Sequence, residues 1–203
     1  DLAAVKDGTA AADKGERNDP NFAPGTLEPL TTYYWRVDEI GAANMVTAGP
    51  VWSFTTVLAV DDMESYTDAE GSRIYETWID GWTNGTGSTV GYVNAPFAEQ
   101  TVVHGGLQSM PLDYNNVKSP FYSEAEQTFA TNQNWTANGI ETVVLYLRTK
   151  AGSKAAPVYV ELKDSSNKTG RVQAAATLVS GGRWTEWKVP LADFAAAGVN
   201  LAR

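Results

Sequence analysis

Between residues 27 and 56 apolar and polar positions alternate with a period of two. In the run Leu27-Glu28-Pro29-Leu30-Thr31-Thr32-Tyr33-Tyr34-Trp35-Arg36-Val37, Tyr33, Trp35 and Val37 share one face, while Tyr34, Arg36 and Asp38 share the other. That pattern predicts a β-strand entered through a proline turn. After a Gly-containing loop, Val51-Trp52-Ser53-Phe54-Thr55 predicts a second strand. Upstream, residues 2–12 are Ala-rich and fit one or two helical turns. Asn18-Asp19-Pro20 and Pro24-Gly25 mark turns, so residues 1–26 read mainly as connection.

From residue 60 the pattern changes. Val60-Asp61-Asp62-Met63-Glu64-Ser65-Tyr66 reads as the opening strand of a new region, and residues 71–92 read as aromatic, Gly-rich loops framing one or two short strands. Residues 108–114 alternate, with Met110, Leu112 and Tyr114 on one face, and residues 126–129 predict a short strand. Residues 134–139 form a turn. A long strand over 140–148 points Val143, Leu145 and Leu147 inward, and one over 158–163 points Val158, Val160 and Leu162 inward. A polar hairpin loop over 164–170 leads to a return strand over 171–174. Residues 184–191 place Trp187, Val189 and Leu191 on one face, followed by a helical turn over 193–198. Many short strands separated by turn signals predict an all-β chain.

Composition narrows the function classes. The chain has 203 residues, 43% hydrophobic, with 18 Gly, seven Trp and nine Tyr, enough for a core and for many turns. A net charge of −9 repels phosphate backbones and anionic lipid, so no nucleic-acid and no membrane partner is expected. No cysteine is present, which removes disulfides, thiolate metal sites and thiol nucleophiles. No apolar run approaches the ~20 residues of a membrane-spanning helix. Asp1-Leu2-Ala3-Ala4 is not a signal-peptide pattern, so an export signal is expected to have been removed or to lie upstream.

Two resemblances follow from the quoted runs. The LxPxTxYxWxV spacing from Leu27 to Val37 resembles the tyrosine corner of fibronectin type III domains, which implies that Tyr33 bonds back to upstream backbone. The likeness covers residues 1–57 and implies a partial fibronectin type III-like sandwich acting as spacer or adhesion module. The opening Asp61-Asp62-Met63-Glu64-Ser65-Tyr66, the 106–114 strand and the run Trp184-Thr185-Glu186-Trp187-Lys188-Val189-Pro190-Leu191 are similar to galactose-binding-like jelly rolls. Those include the carbohydrate-binding modules appended to secreted bacterial glycan-active enzymes. The pairing of the two is similar in style to large secreted proteins of planctomycete-type bacteria. This second likeness covers residues 60–203 and implies a jelly-roll β-sandwich. It leaves the ligand open, because that fold also serves structural roles. Both regions are expected to be cut inside a domain. The first would expose apolar surface around Tyr33, Trp35 and Trp52. The second would lack its last strands, leaving the opening strand with an unpaired edge.

Candidate chemistry is sparse. HExxH, GxSxG and phosphate-loop motifs are absent, and Gly85-Thr86-Gly87 with Gly91 is a loop with the wrong spacing for a dinucleotide site. His104, the sole histidine, precedes Gly105-Gly106 and reads as an exposed turn residue. The acids supply many pairs by chance, none in a glycosidase pattern. No enzyme activity is therefore expected, although the chain would suit attachment to a glycoside hydrolase. Asp61, Asp62 and Glu64 crowd three carboxylates into four positions. They are either a solvated acidic strand start or the ligands of a hard, oxygen-liking cation, and the jelly-roll resemblance favours a structural Ca²⁺ held by Asp62 and Glu64. Binding is better supported. The outward face of the later strands carries Tyr146, Arg148, Tyr159, Glu161, Gln173, Trp184 and Glu186: aromatic floor with polar arms, suited to a sugar's flat C–H face and ring of hydroxyls. The expected function is non-catalytic binding of a polysaccharide or oligosaccharide by part of a larger secreted or cell-surface protein. The alternatives are an adhesive spacer without a sugar site and, more weakly, a glycan-active hydrolase. Trp78 and Trp82, on loops at one end of the sandwich, are either a second sugar-facing candidate or, as favoured here, a small core under a long loop. The three Asn-x-Thr triplets at Asn84, Asn134 and Asn167 read as chance sequons.

Overall fold

In a computed structural model, all residues are described except 155, 176, 177, 179, 180 and 203. The chain divides into two compact units, Asp1–Val60 and Asp61–Arg203.

Unit 1 opens with helix α1 (Leu2–Asp7), capped by the Asp1 side chain on the Ala3 amide and closed by Gly8 in the left-handed conformation. Four short strands follow: β1 (Thr32–Trp35), β2 (Glu39–Ile40), β3 (Val46–Thr47) and β4 (Trp52–Thr55). β1 pairs antiparallel with β4, and β2 with β3. The register sets Tyr33 against Phe54 and Trp35 against Trp52; the first pair stacks with centroids 5.7 Å apart, and the second packs tilted by 32° at 4.6 Å. The Tyr33 hydroxyl accepts a 2.9 Å hydrogen bond from the Glu28 amide, the backward bond expected of that tyrosine. α1 is tied to β1 through Arg36, which donates to the Lys6 carbonyl at 2.8 Å and pairs with Asp38 at 2.7 Å. Within unit 1 no residue is buried. Trp35 (46%), Trp52 (43%) and Phe54 (45%) remain exposed, so the aromatic stripe has no cover from its own unit.

Unit 2 carries two short helices, α2 (Ile74–Thr77) and α3 (Gly81–Asn84), then strands β5 (Ser88–Val90), β6 (Leu112–Tyr114), β7 (Thr142–Leu147), β8 (Tyr159–Lys163), β9 (Thr169–Gln173) and β10 (Thr185–Pro190), and a final helix α4 (Leu191–Ala196). The pairs β5–β6, β7–β10 and β8–β9 are all antiparallel. The β-rich, antiparallel expectation therefore holds. Among the described residues these ladders stay two-stranded and do not join into wider hydrogen-bonded sheets.

Period-two faces decide what is buried. Val143 and Leu145 of β7, Val160 and Leu162 of β8, Val172 of β9, and Trp187 and Val189 of β10 pack around Leu191, Phe194, Val199 and Leu201. Phe194 and Val189 are fully buried, each worth about 1.5–3 kcal/mol relative to exposure. Gly170 stands where a Cβ would meet Val199 and Ala197, which lets α4's exit segment close on β9. A second cluster gathers Tyr66, Ile74, Val90 and Ala98 with Met63, Trp78 and Met110.

Three local expectations change. Residues 60–66 form a turn instead of a strand. Asp61 takes the Met63 amide at 2.8 Å, Asp62 takes the Glu64 amide at 3.0 Å, and Met63 sits at φ 66. Side chains that bond the amide two residues on compete with the ladder and win here. Residues 126–129 contribute a single bridge, Ile79 to Glu126, in place of a strand. Leu112 and Tyr114 are 43% and 40% exposed while Met110 packs in the second cluster, so the predicted common face is split. Among the described residues no helix is long and apolar enough to cross a membrane.

Candidate functional site

β7 and β10 present a mixed aromatic and polar outer face. Their register places Tyr146 opposite Glu186 and Val144 opposite Lys188, while the alternate residues turn into the core. Tyr146 is 44% exposed. The His104 imidazole lies flat on its ring, centroids 3.7 Å apart and planes 14° apart. Trp184, just before β10, stands edge-on to His104 at 5.6 Å and 71°. The Tyr146 hydroxyl approaches Glu186 at 3.5 Å, and Lys188 pairs with Glu186 at 3.1 Å. Arg148, just past β7, donates from Nε to the Gly182 carbonyl at 2.8 Å, pinning the turn that leads into Trp184. Tyr146 and His104 are thus exposed and Trp184 half-buried, with a carboxylate and an ammonium, Glu186 and Lys188, on the same outer face. Such a surface can stack on an apolar ring face and exchange hydrogen bonds with its rim.

The other expected sugar-facing residues lie on the β8–β9 ladder. Tyr159 and Glu161 do point outward, with Gln173 opposite Tyr159. The Tyr159 ring is covered on one side by the Arg171 guanidinium, 3.8 Å from the centroid, and its hydroxyl donates to Glu124 at 2.5 Å. Burial, followed by the Glu124 carboxylate, pushes that phenol well above the usual tyrosine range. Arg171 also pairs with Glu161 at 2.9 Å. The structure therefore groups Tyr146 and Trp184 around His104, leaves Arg148 on the Gly182 carbonyl, and groups Tyr159 and Glu161 around Arg171.

The acidic run is held mainly by Asp61. Its Oδ2 accepts the Trp78 indole N–H at 2.8 Å and the Tyr66 hydroxyl, and its Oδ1 accepts the Met63 amide. Glu64 Oε1 accepts the Leu107 and Gln108 amides at 2.9 and 3.1 Å. Gly106, at φ +70, has no room for a Cβ beside that carboxylate. Asp62 is exposed and serves the Glu64 amide. These oxygens meet N–H and O–H donors. Among the described residues no three His, Cys, Asp or Glu side chains gather as a metal-holding group, and Asp62 with Glu64 falls short of the six to eight oxygens that Ca²⁺ takes.

Trp78 belongs to the second core cluster, as the loop-core expectation had it. Trp82 does not. It follows the Asp80 cap of α3 and is 89% exposed.

Three contributors escaped the sequence. His104 joins Tyr146 only through a loop far away in the chain. Arg171 reaches the Tyr159 ring across the hairpin register. Asp61 is one of three neighbouring acids whose order alone does not say which is bonded. The chain matches no family model, no curated protein and no solved structure.

Proposed function

We propose that this chain is a non-catalytic carbohydrate-binding portion of a larger secreted protein, with unit 2 holding a polysaccharide or oligosaccharide on the β7–β10 outer face. The single observation that carries this is the cluster of exposed Tyr146 and His104 with half-buried Trp184, beside the Glu186–Lys188 pair on the same outer face. Solvated strands often carry isolated tyrosines because of β propensity. Here three rings from three chain segments converge at one point, which β propensity does not require. In this proposal unit 2 is a galactose-binding-like jelly roll, and unit 1 is the C-terminal part of a fibronectin type III-like domain. The Tyr33–Glu28 bond supports the latter.

A second reading, an adhesive spacer, is favoured for unit 1 by its uncovered aromatic stripe. Labelled chain applied to an array of neutral and acidic polysaccharides separates the two. Retention on a polysaccharide that is lost in Trp184→Ala supports sugar binding through this face. Absence of retention on every glycan leaves the spacer reading for the whole chain.

A further inference from the structure

A groove of about 350 Å³ lies beside β8, apart from the β7–β10 face. One wall is the segment that contains Gln127, Phe129 and Trp135. The other contains Glu161, Lys163 and Asn200. No β9 residue lines it, so it runs along the outer edge of β8.

The β8–β9 register fixes what that edge offers. Ala174 donates to the Val158 carbonyl and Asp164 to the Lys168 carbonyl, so the even-numbered residues of β8 are the ones bonded to β9. In an antiparallel ladder bonded and non-bonded pairs alternate. The backbone N–H and C=O groups of Glu161 and Lys163 therefore point away from β9, at the groove edge. Across from them, the Gln127 side-chain oxygen is buried and has no hydrogen-bond partner. A buried acceptor left unmatched is costly, and native chains seldom keep one without a use. Phe129 and Trp135 pack edge to face at 6.1 Å and supply apolar wall. Trp135 is held in place by its amide bond to the Leu201 carbonyl at 2.8 Å.

The chemistry of the lining selects a neutral ligand. Glu161 is already neutralised by Arg171 at 2.9 Å, which leaves Lys163 as the nearest charge with no ion pair among the described residues. The Asp164 carboxylate also lines the groove and accepts the Ser166, Lys168 and Asn200 amides, and the remaining polar groups are side-chain amides, the Thr128, Thr131 and Ser165 hydroxyls and strand backbone, which together offer donors and acceptors. A sugar hydroxyl also donates and accepts at once, so these groups match a polyol better than an anion or a cation. The volume is at the lower end of small-ligand sites.

We propose that this groove is a second binding site, taking one or two neutral sugar residues, distinct from the flat face that would track a longer chain. The proposal rests on the carbohydrate-binding function inferred above and adds to it a separate subsite.

The test is a ¹H–¹⁵N titration of the full chain with a panel of neutral methyl glycosides (gluco, galacto, manno and xylo). Glycerol at equal concentration serves as control. The expected result is saturable shifts at the Gln127 side-chain amide, the Lys163 backbone amide and the Trp135 indole with at least one glycoside. In Gln127→Leu the midpoint of that titration should weaken tenfold or more while the melting temperature stays level or rises, because an unmatched buried oxygen has been removed. A merely structural Gln127 would not separate those two readouts. Shifts at the Trp184 indole with none at the groove residues overturn the groove and leave the face intact. Groove shifts that glycerol reproduces, or that survive Gln127→Leu unchanged, also overturn it. Loss of polysaccharide retention in Trp184→Ala alongside preserved groove shifts supports two separate sites.

Discussion

Replacing Asp61 by Ala tests how the acidic run works. The Asp61 carboxylate accepts three hydrogen bonds, from the Met63 amide, the Trp78 indole and the Tyr66 hydroxyl. Tyr66 is 8% exposed and Trp78 packs in the same cluster. Truncation strands two donors away from water, at about 1–3 kcal/mol each, and releases the turn amide to solvent at little cost. Allowing for relaxation, the loss should be about 3 kcal/mol, which for a unit of this size lowers the melting temperature by about 10 °C. Asp61→Asn keeps one acceptor and should lose about half as much. Asp62→Ala removes one exposed bond, to the Glu64 amide, and should change stability by less than about 0.5 kcal/mol. Urea unfolding followed by near-UV circular dichroism reports unit 2 directly, because Trp78 and Tyr66 lie in its core. An Asp62→Ala cost equal to that of Asp61→Ala would refute the assignment of the turn to Asp61. So would a chelator that, at matched ionic strength, lowers the wild-type midpoint by several degrees. Either result would support Ca²⁺ at this turn.

Other consequences follow from single residues. Glu99 accepts from the Thr101 hydroxyl and amide, the Tyr92 hydroxyl and the Val102 amide, which hold its carboxyl at about 2, below its ordinary 4.5. A depressed carboxyl stabilises fully above its unfolded value and loses that contribution as pH falls from 4.5 toward 2. Glu99→Gln should therefore flatten the acid limb of the stability profile in that window, by about 1 kcal/mol after solvent screening. Tyr33→Phe should cost unit 1 about 1 kcal/mol, read by urea unfolding, through loss of the bond from the Glu28 amide. The uncovered stripe of Trp35, Trp52 and Phe54 should bind an apolar fluorescent dye under native conditions, and Trp35→Ser with Trp52→Ser should remove most of that signal.

The legible parts of this chain are those where period two is long and unbroken. β7, β8 and β10 lie where the alternation of Val143, Leu145, Val160, Leu162, Trp187 and Val189 puts them, because one buried face leaves a single acceptable register. The Tyr33 bond to the Glu28 amide was legible because its partner sits five residues upstream. The opening of unit 2 was not. Asp and Glu in a row look alike as strand polar face and as turn formers, and only the side-chain bonds of Asp61 and Asp62 decide for the turn. The candidate site was legible as a set of outward aromatics on strands. Its grouping depended on which strands pair and on one loop, the one carrying His104. Those are contacts between residues distant in sequence, which a local pattern does not encode.

In the proposed function the Tyr146–His104–Trp184 cluster binds the sugar. Isothermal titration of an oligosaccharide drawn from a polysaccharide that retains the chain measures it most directly. A Kd of about 10⁻⁴ M is expected, with at least tenfold weaker binding in Tyr146→Ala and in Trp184→Ala and unaltered melting temperatures in both. Equal affinity in wild type and the Tyr146→Ala, Trp184→Ala double variant would contradict it.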